Sequence, residues 1–567
     1  MTADDLPLLP RPRSVALTGA RVEARPPAAV RDPSLPAQGY RLRISGGGVT
    51  IESSEPAGEF YARATLDQLA SVSDDGRLPE GEIVDWPDLA VRGVMLDVSR
   101  DKVPTMATLK DLVARLASFK VNQVQLYMEH TFAYAGHEEV WASASPFTPD
   151  EIRELDRFCA DRHVELVPNQ NCLGHMERWL RHDRYRPLAL MPDGWIDGRG
   201  RRRAPMTVDP SNPAALDLAR DLLAQLVGSF SSGRVHVGLD EPWELPDDRF
   251  DDYLAFAAAL RRLPDTADHE MLMWGDIVGH HPDRVADVPD GLTVCEWGYE
   301  DWHPFEERGR LLEKAARPFW VCPGTSSWMT ILGRVPNMVG NCQAAADAAR
   351  AHGAAGYLVT DWGDNGHHQY LPVAEPGFAY GAAVSWCLDA NRDLDLAAAL
   401  SAHTFADATG RLGAALVELG GVSRLIGPQR PNVSVLVLHL YSPRLRMGEG
   451  LTEGLTVDDL DRVRATLAAA RASVASSTPT RAGGSLVVSE VEAACDLVDL
   501  LARDARARLL AGGRLDDVAV AHRLAFADEL DAYTERHREL WLARNRAGGL
   551  DDSCARFGVL AAAHRAV

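Results

Sequence analysis

The sequence predicts an α/β chain built on a closed (β/α)8 barrel, with a small α+β unit before it and a mostly helical region after it. Three observations carry this. Eight continuous apolar runs recur between residues 93 and 363, as strands buried on both faces of a parallel sheet require. Stretches with apolar residues at helical spacing separate them. This alternation begins at about residue 90, and the strand runs stop by about 395. The expected units are therefore 1–88, 89–392 and 393–567.

The first unit opens on a Pro-rich stretch, Leu6-Pro7-Leu8-Leu9-Pro10-Arg11-Pro12. Tyr40–Ile44 and Val49–Ile51 read as strands joined through Gly46-Gly47-Gly48, a hairpin, with a helix following from about Gly58 to Ser71. The barrel strands are then expected at Gly93–Val98, Val121–Met128, Val164–Gln170, Arg234–Glu241, Glu270–Ile277, Gly291–Trp297, Pro318–Gly324 and Gly356–Gly363. Leu109, Leu112, Val113, Leu116 and Phe119 keep helical spacing before the second run. Thr148-Pro149-Asp150-Glu151 has the form of a capping box with Pro at the first helical position. Eight such alternations favour a barrel over an open doubly wound sheet. The 277–291 connection is short for a full helix, and 171–215 is long enough to carry loop insertions. Beyond 395, Ala/Leu/Arg-rich segments at 457–474, 489–511 and 518–547 read as helices, the first introduced by Thr456 with Asp459 three residues on.

Composition narrows the function. The formal net charge of -22 argues against nucleic acid or an anionic membrane as partner. The one basic cluster, Arg199 to Arg203, reads as a solvated loop. The acidic start Met1-Thr2-Ala3-Asp4-Asp5 has no apolar h-region, and no run of 18 apolar residues exists. Eight Cys (159, 172, 295, 322, 342, 387, 495, 554) are scattered without a CxxC pair and read as reduced, mostly buried thiols. A cytoplasmic protein is expected.

In such a barrel the chemistry sits at the carboxyl ends of the strands. Those ends carry Tyr127-Met128-Glu129-His130, Gly174-His175 beyond Asn169-Gln170-Asn171, Asp240-Glu241, Trp274-Gly275-Asp276, Glu296-Trp297, Thr325-Ser326-Ser327-Trp328 and Asp361-Trp362-Gly363-Asp364. Indole faces stack on the C–H faces of a sugar, and carboxylates accept bonds from its hydroxyls. Carboxylates and Trp274, Trp297, Trp328 and Trp362 at successive strand ends therefore predict a carbohydrate site. The sharpest feature is Val235-His236-Val237-Gly238-Leu239-Asp240-Glu241, an apolar run closed by two adjacent acids. Burying ionised carboxylates is costly, so a strand that ends in two delivers them to a site. Adjacent strand residues point in opposite directions, which is ill suited to a facing nucleophile and acid. The pair suits substrate assistance: a 2-acetamido oxygen attacks the anomeric carbon, one acid protonates the leaving oxygen and the other holds the acetamido N–H.

On these residues the chain resembles the β-N-acetylhexosaminidases of glycoside hydrolase family 20, a bacterial subgroup in particular. Leu9–Val15, Gly58–Tyr61 with Leu66–Leu69, Arg92–Arg100, and His236–Glu241 (H-x-G-x-D-E) follow the family's motifs in order. The resemblance implies exo-acting, retaining, substrate-assisted hydrolysis of terminal β-linked GlcNAc or GalNAc through an oxazolinium intermediate. It implies Asp240 and Glu241 as the catalytic pair and Arg92, Trp274, Trp297, Trp328, Trp362 and Asp364 against the sugar. Glu129, His130, His175 and His236 support them, with His175 bonded to Glu241. It implies a small oligosaccharide or glycoconjugate as partner and no metal or organic cofactor. The chain departs from the family in having Glu129-His130-Thr131-Phe132 after the second strand, Asp364 where many members have Glu, and no evident tyrosine near Thr325–Trp328 for the acetamido oxygen. Tyr299 is the substitute within reach in the sequence. Three other readings fit parts of the pattern: a metal-dependent barrel hydrolase using His130, His175, His236 and Asp240, a retaining glycosidase pairing Glu241 with Glu129 or Glu296, and a sugar-binding protein without activity.

Overall fold

The computed structural model describes residues 6–566 apart from 74 and 199. Met1–Asp5 and Arg199 of the basic cluster lie outside the described residues. An N-terminal sheet holds β1 (Ser14–Glu23), β2 (Ala28–Arg31), β3 (Tyr40–Ser45), β4 (Gly48–Ser53) and β5 (Arg77–Asp85) in the order β1-β5-β3-β4-β2. The expected hairpin is β3–β4. Three strands went unread, and the reason is physical. No residue of β1 or β2 is fully buried, so neither offers the apolar alternation that marks a strand. The helix Pro56–Ser71 packs Tyr61, Leu66 and Leu69 on the sheet.

Eight parallel strands then close the barrel: β6 (Val91–Asp97), β7 (Gln123–Met128), β8 (Glu165–Gln170), β11 (Arg234–His236), β12 (Glu270–Trp274), β13 (Leu292–Trp297), β14 (Phe319–Cys322) and β15 (Gly356–Asp361). Between β8 and β11 the long connection carries a small hairpin, β9 (Trp195–Ile196) with β10 (Arg202–Arg203). Every predicted barrel strand is present. β15 pairs with β6 from Gly356↔Val91 to Asp361↔Leu96 and seals the ring. Met95, Tyr127, Leu272, Trp274, Cys295, Trp320 and Leu358 belong to one buried cluster, separate from the core that the helices cover, so the interior is packed rather than hollow. The Thr148–Glu151 capping box forms on both sides, and the 277–291 connection holds only a helix of Asp276–His280 and a 3-10 turn.

The N-terminal sheet is fastened to the foot of the barrel. Lys120 Nζ, Tyr40 Oη and Trp386 Nε1 all donate to Asp85 Oδ2, at 2.8, 2.9 and 2.8 Å. Arg92 belongs to this junction. It sits at the start of β6, is 1% exposed, stacks on Trp386 at 4.8 Å and donates to the backbone oxygens of Leu89 and Lys120. The C-terminal helices Val457–Ala475, Gly484–Leu510, Val520–Arg544 and Leu550–Arg565 reach the opposite end. The Thr105 and Arg546 amides donate to Arg544 O and Val103 O, and His368 Nε2 meets Ser553 O at 3.1 Å. The helical region thus braces the loops that follow β6 and β15. All eight cysteines are free and buried.

Candidate active site

The site is assembled where β11 stops being a strand. Regular pairing ends at His236, and Gly238, Leu239 and Glu241 all take left-handed backbone angles, with φ of 72°, 74° and 47°. The expectation of a strand running to Glu241, with its two acids on opposite faces, is therefore corrected. The irregular segment turns both carboxylates to one side. His175 Nε2 lies 3.4 Å from Asp240 Oδ2 and 3.4 Å from Glu241 Oε2. Glycine is required twice here. A Cβ on Gly238 would lie 2.6 Å from the Asn171 side chain, and one on Gly174 would lie 2.3 Å from Asp240 O.

Asp240 is 5% exposed and accepts from Asn171 Nδ2 at 2.6 Å. Burial alone would raise its pKa, but the charge of His175 and the nearby Arg100 hold it below the usual carboxylate range. His175 is raised well above an ordinary histidine: burial works against its charge, and Asp240 outweighs that. The pair therefore behaves as an ion pair aimed at the cleft, with Asp240 ionised at neutral pH.

The cleft above them has an empty volume of about 370 Å³ and is lined by Arg100, Asp240, Glu241, Trp297, Tyr299, Trp328, Trp362, Asp364 and Asn432. Three of the four predicted tryptophans line it. Trp297 stacks on Tyr299 with centroids 5.1 Å apart, Trp328 meets Tyr299 edge-on at 4.9 Å, and Trp362 Nε1 donates to Tyr299 Oη at 2.7 Å. Tyr299 is thus the hub of the aromatic wall. Trp274 lies one layer down, fully buried between His236 (4.3 Å) and Trp362 (5.8 Å). His236 is fully buried as well, and its Nδ1 accepts from the Gly238 amide at 3.0 Å.

The guanidinium in the cleft belongs to Arg100, not Arg92. Strand β6 enters the barrel at Arg92 and leaves it at Asp97, so only residues beyond Asp97 reach the catalytic end. Arg100 pairs with Asp97 (3.2 Å), Glu129 (3.5 Å) and Asp364 (3.9 Å), touches His175 Nδ1 at 3.3 Å and lies 4.9 Å over Trp362. Glu129 accepts from Tyr127 Oη at 3.1 Å and is pushed up to about 7, chiefly by burial. It stands behind Arg100 and does not line the cleft. His130 is buried, with its Nδ1 unpartnered. Burial and the charges of Arg178 and Arg181 push it down to about 3, so it is a neutral structural ring.

Asp276, which strand-end reading left among many acids, is bonded to the backbone of Glu241. One carboxylate oxygen accepts from the Glu241 amide at 3.0 Å and the other from Trp297 Nε1 at 3.3 Å. It therefore pins both the left-handed backbone of Glu241 and one wall of the cleft. Burial first, and the charge of Asp240 second, push it up to about 8.

Two family models match the chain in order. Residues 7–86 match the profile described as glycosyl hydrolase family 20, domain 2, and residues 90–262 match the family's catalytic domain. A beta-hexosaminidase of Akkermansia muciniphila is 28% identical over 237 residues, covering 38% of this chain and 47% of that protein. A beta-N-acetylhexosaminidase of Cellulomonas fimi is 27% identical over 289 residues, covering 46% and 57%. The chain thus spans about half the length of these two relatives. Among solved structures, a glycoside hydrolase family 20 beta-N-acetylglucosaminidase superposes with a TM-score of 0.56 at 21% identity, over 67% of this chain and 91% of the other, a likeness of fold. Residues 7–262 thus match both domains of glycosyl hydrolase family 20 in order, with the carboxylate pair at the end of the fourth barrel strand inside the matched catalytic domain.

Proposed function

We propose that this chain is an exo-acting, retaining β-N-acetylhexosaminidase in which the substrate's own acetamido oxygen is the nucleophile. The observation that carries it is the pair Asp240 and Glu241, both 3.4 Å from one His175 nitrogen at the mouth of a tryptophan-walled cleft. Two carboxylates this close on one side of the scissile bond do not form the flanking pair that a conventional glycosidase needs. Asp240, ionised and buried, accepts the acetamido N–H and lends it negative charge. The acetamido oxygen then closes on the anomeric carbon and an oxazolinium forms. Glu241, 29% exposed, delivers a proton to the departing oxygen and next takes one from the water that opens the ring. Trp297, Trp328 and Trp362 give the sugar apolar walls, and Tyr299 offers its hydroxyl to the acetamido oxygen. Arg100 and Asp364 supply charged bonds to ring hydroxyls.

The rival pairing of Glu241 with Glu129 or Glu296 has no support in the geometry. Glu129 is turned to Arg100 and Tyr127, Glu296 is bonded to His303 at 3.0 Å, and neither lines the cleft. Eight free thiols fit a reducing compartment, which supports a cytoplasmic enzyme acting on short oligosaccharides or glycoconjugate fragments.

A thiazoline that mimics the bicyclic intermediate tests the chemistry. It is expected to bind at least about 100-fold more tightly than N-acetylglucosamine, as an analogue of an on-path species should. Equal affinities, measured by inhibition of hydrolysis, would count against participation of the acetamido group.

A further inference from the structure

One residue lining the cleft, Asn432, comes from beyond the last barrel strand, Gly356–Asp361. Asn432 belongs to the C-terminal region and reaches the site on a tight loop. An antiparallel bridge between Arg430 and Val433 forms the loop, and Asn432 stands at its tip with φ of 58°. Two anchors fix the tip to the barrel. The Asn432 amide donates to Glu300 Oε1 at 2.8 Å, and the Ser434 amide donates to Met329 O at 3.1 Å. The Glu300 carboxylate is itself held by both terminal nitrogens of the buried Arg334, at 2.7 and 2.9 Å. The backbone of Asn432 is thus tied to the loops after β13 and β14, the same loops that present Tyr299 and Trp328.

The side chain contrasts with this. Asn432 Oδ1 is buried and has no hydrogen-bond partner among the described residues, although the backbone on either side of it is bonded. A buried amide oxygen left unpaired is costly, so a loop that holds one in place has a use for it. It borders the cleft shared by Arg100, Asp364 and the three tryptophans. A primary amide offers both a donor and an acceptor whichever way it is turned, which matches a sugar hydroxyl.

We propose that Asn432 hydrogen-bonds a hydroxyl of the terminal sugar, so that the C-terminal region completes the substrate site. This rests on the functional reading above. It also gives the helical region a role beyond bracing. The region's loop supplies a polar contact that would discriminate among sugars by the hydroxyl it meets.

The test compares wild type with Asn432→Ala on 4-nitrophenyl N-acetyl-β-D-glucosaminide and on its 3-, 4- and 6-deoxy forms, with thermal unfolding measured alongside. Loss of one neutral hydrogen bond should lower kcat/KM for the parent about tenfold. On one deoxy substrate the two proteins should be equal, because the partner hydroxyl is already gone, while the other deoxy forms keep the tenfold gap. A loosened loop would lower all four alike. Parent kcat/KM within twofold of wild type, or an equal penalty on every deoxy form, would overturn the role of Asn432 and leave the functional reading standing. Failure of wild type to hydrolyse the parent would overturn the functional reading, and this inference with it.

Discussion

Replacing Glu241 by Gln is expected to lower kcat on substrates with a sugar or alkyl leaving group by about 10²- to 10⁴-fold, the usual worth of a positioned general acid. The amide cannot deliver a proton, yet it keeps the shape of the carboxyl, so binding of N-acetylglucosamine should change little. The loss should shrink sharply on a dinitrophenyl glycoside, whose leaving group departs without protonation, at least for the ring-closing step. Stability should be nearly unaffected, because Glu241 is partly exposed and, among the described residues, its side chain makes only the long contact with His175. Uniform loss across leaving groups, measured as kcat/KM along a series of aryl glycosides, would take Glu241 out of the acid role.

Asp276→Asn is expected to change the pH dependence as much as the rate. In the wild type this carboxyl is neutral at pH 7, since burial and Asp240 push it up to about 8. Raising the pH through that value ionises it beside Asp240, and two like charges then repel across the site. Activity should therefore fall on an alkaline limb near pH 8, and in the Asn variant that limb should move to higher pH. At pH 7 the variant should lose roughly tenfold in kcat. Its amide can still accept from the Glu241 backbone, but its NH2 then confronts Trp297 Nε1, a donor against a donor. Stability gives an independent sign. A carboxyl whose pKa is higher in the folded than in the unfolded chain binds protons preferentially when folded. Its contribution is most favourable below its unfolded pKa near 4 and is lost as pH rises toward 8. The unfolding temperature of Asp276→Asn relative to wild type should therefore rise between pH 5 and pH 8.5. An unchanged alkaline limb in the variant would mean that another group sets it.

The barrel was legible because all eight strands are buried on both faces, and burial on both faces writes continuous apolar runs into a sequence. The strands β1, β2 and β5 were hidden for the opposite reason, with exposed or half-exposed residues such as Arg21, Glu23, Arg31 and Arg77 breaking the alternation. Within the site, the motif ending in Asp240-Glu241 located the carboxylates but not their geometry. A run of apolar and glycine residues reads as strand up to Glu241, whereas three left-handed residues bend it after His236. The two arginines of the first barrel segment show a related limit. Arg92 and Arg100 flank β6, and choosing between them needs only the rule that barrel chemistry gathers at carboxyl ends. Applied strictly, it selects Arg100. Asn432 carried no signal of any kind, since an asparagine in an irregular stretch nearly 200 residues past the catalytic pair has the composition of any turn. Only the folding of the C-terminal region against the barrel brings it to the cleft.

The central claim is that the acetamido group, held by Asp240, is the nucleophile. Its most direct test is the hydrolysis of 4-nitrophenyl N-acetyl-β-D-glucosaminide compared with that of the β-D-glucoside lacking the acetamido group, for wild type and for Asp240→Asn. The predicted result is a preference of about 10³-fold or more for the acetamido substrate in wild type, which Asp240→Asn largely erases by slowing that substrate alone, as loss of a contact made mainly in the transition state requires. Comparable turnover of the two substrates by wild type, or an Asp240→Asn variant that keeps the preference, would contradict it.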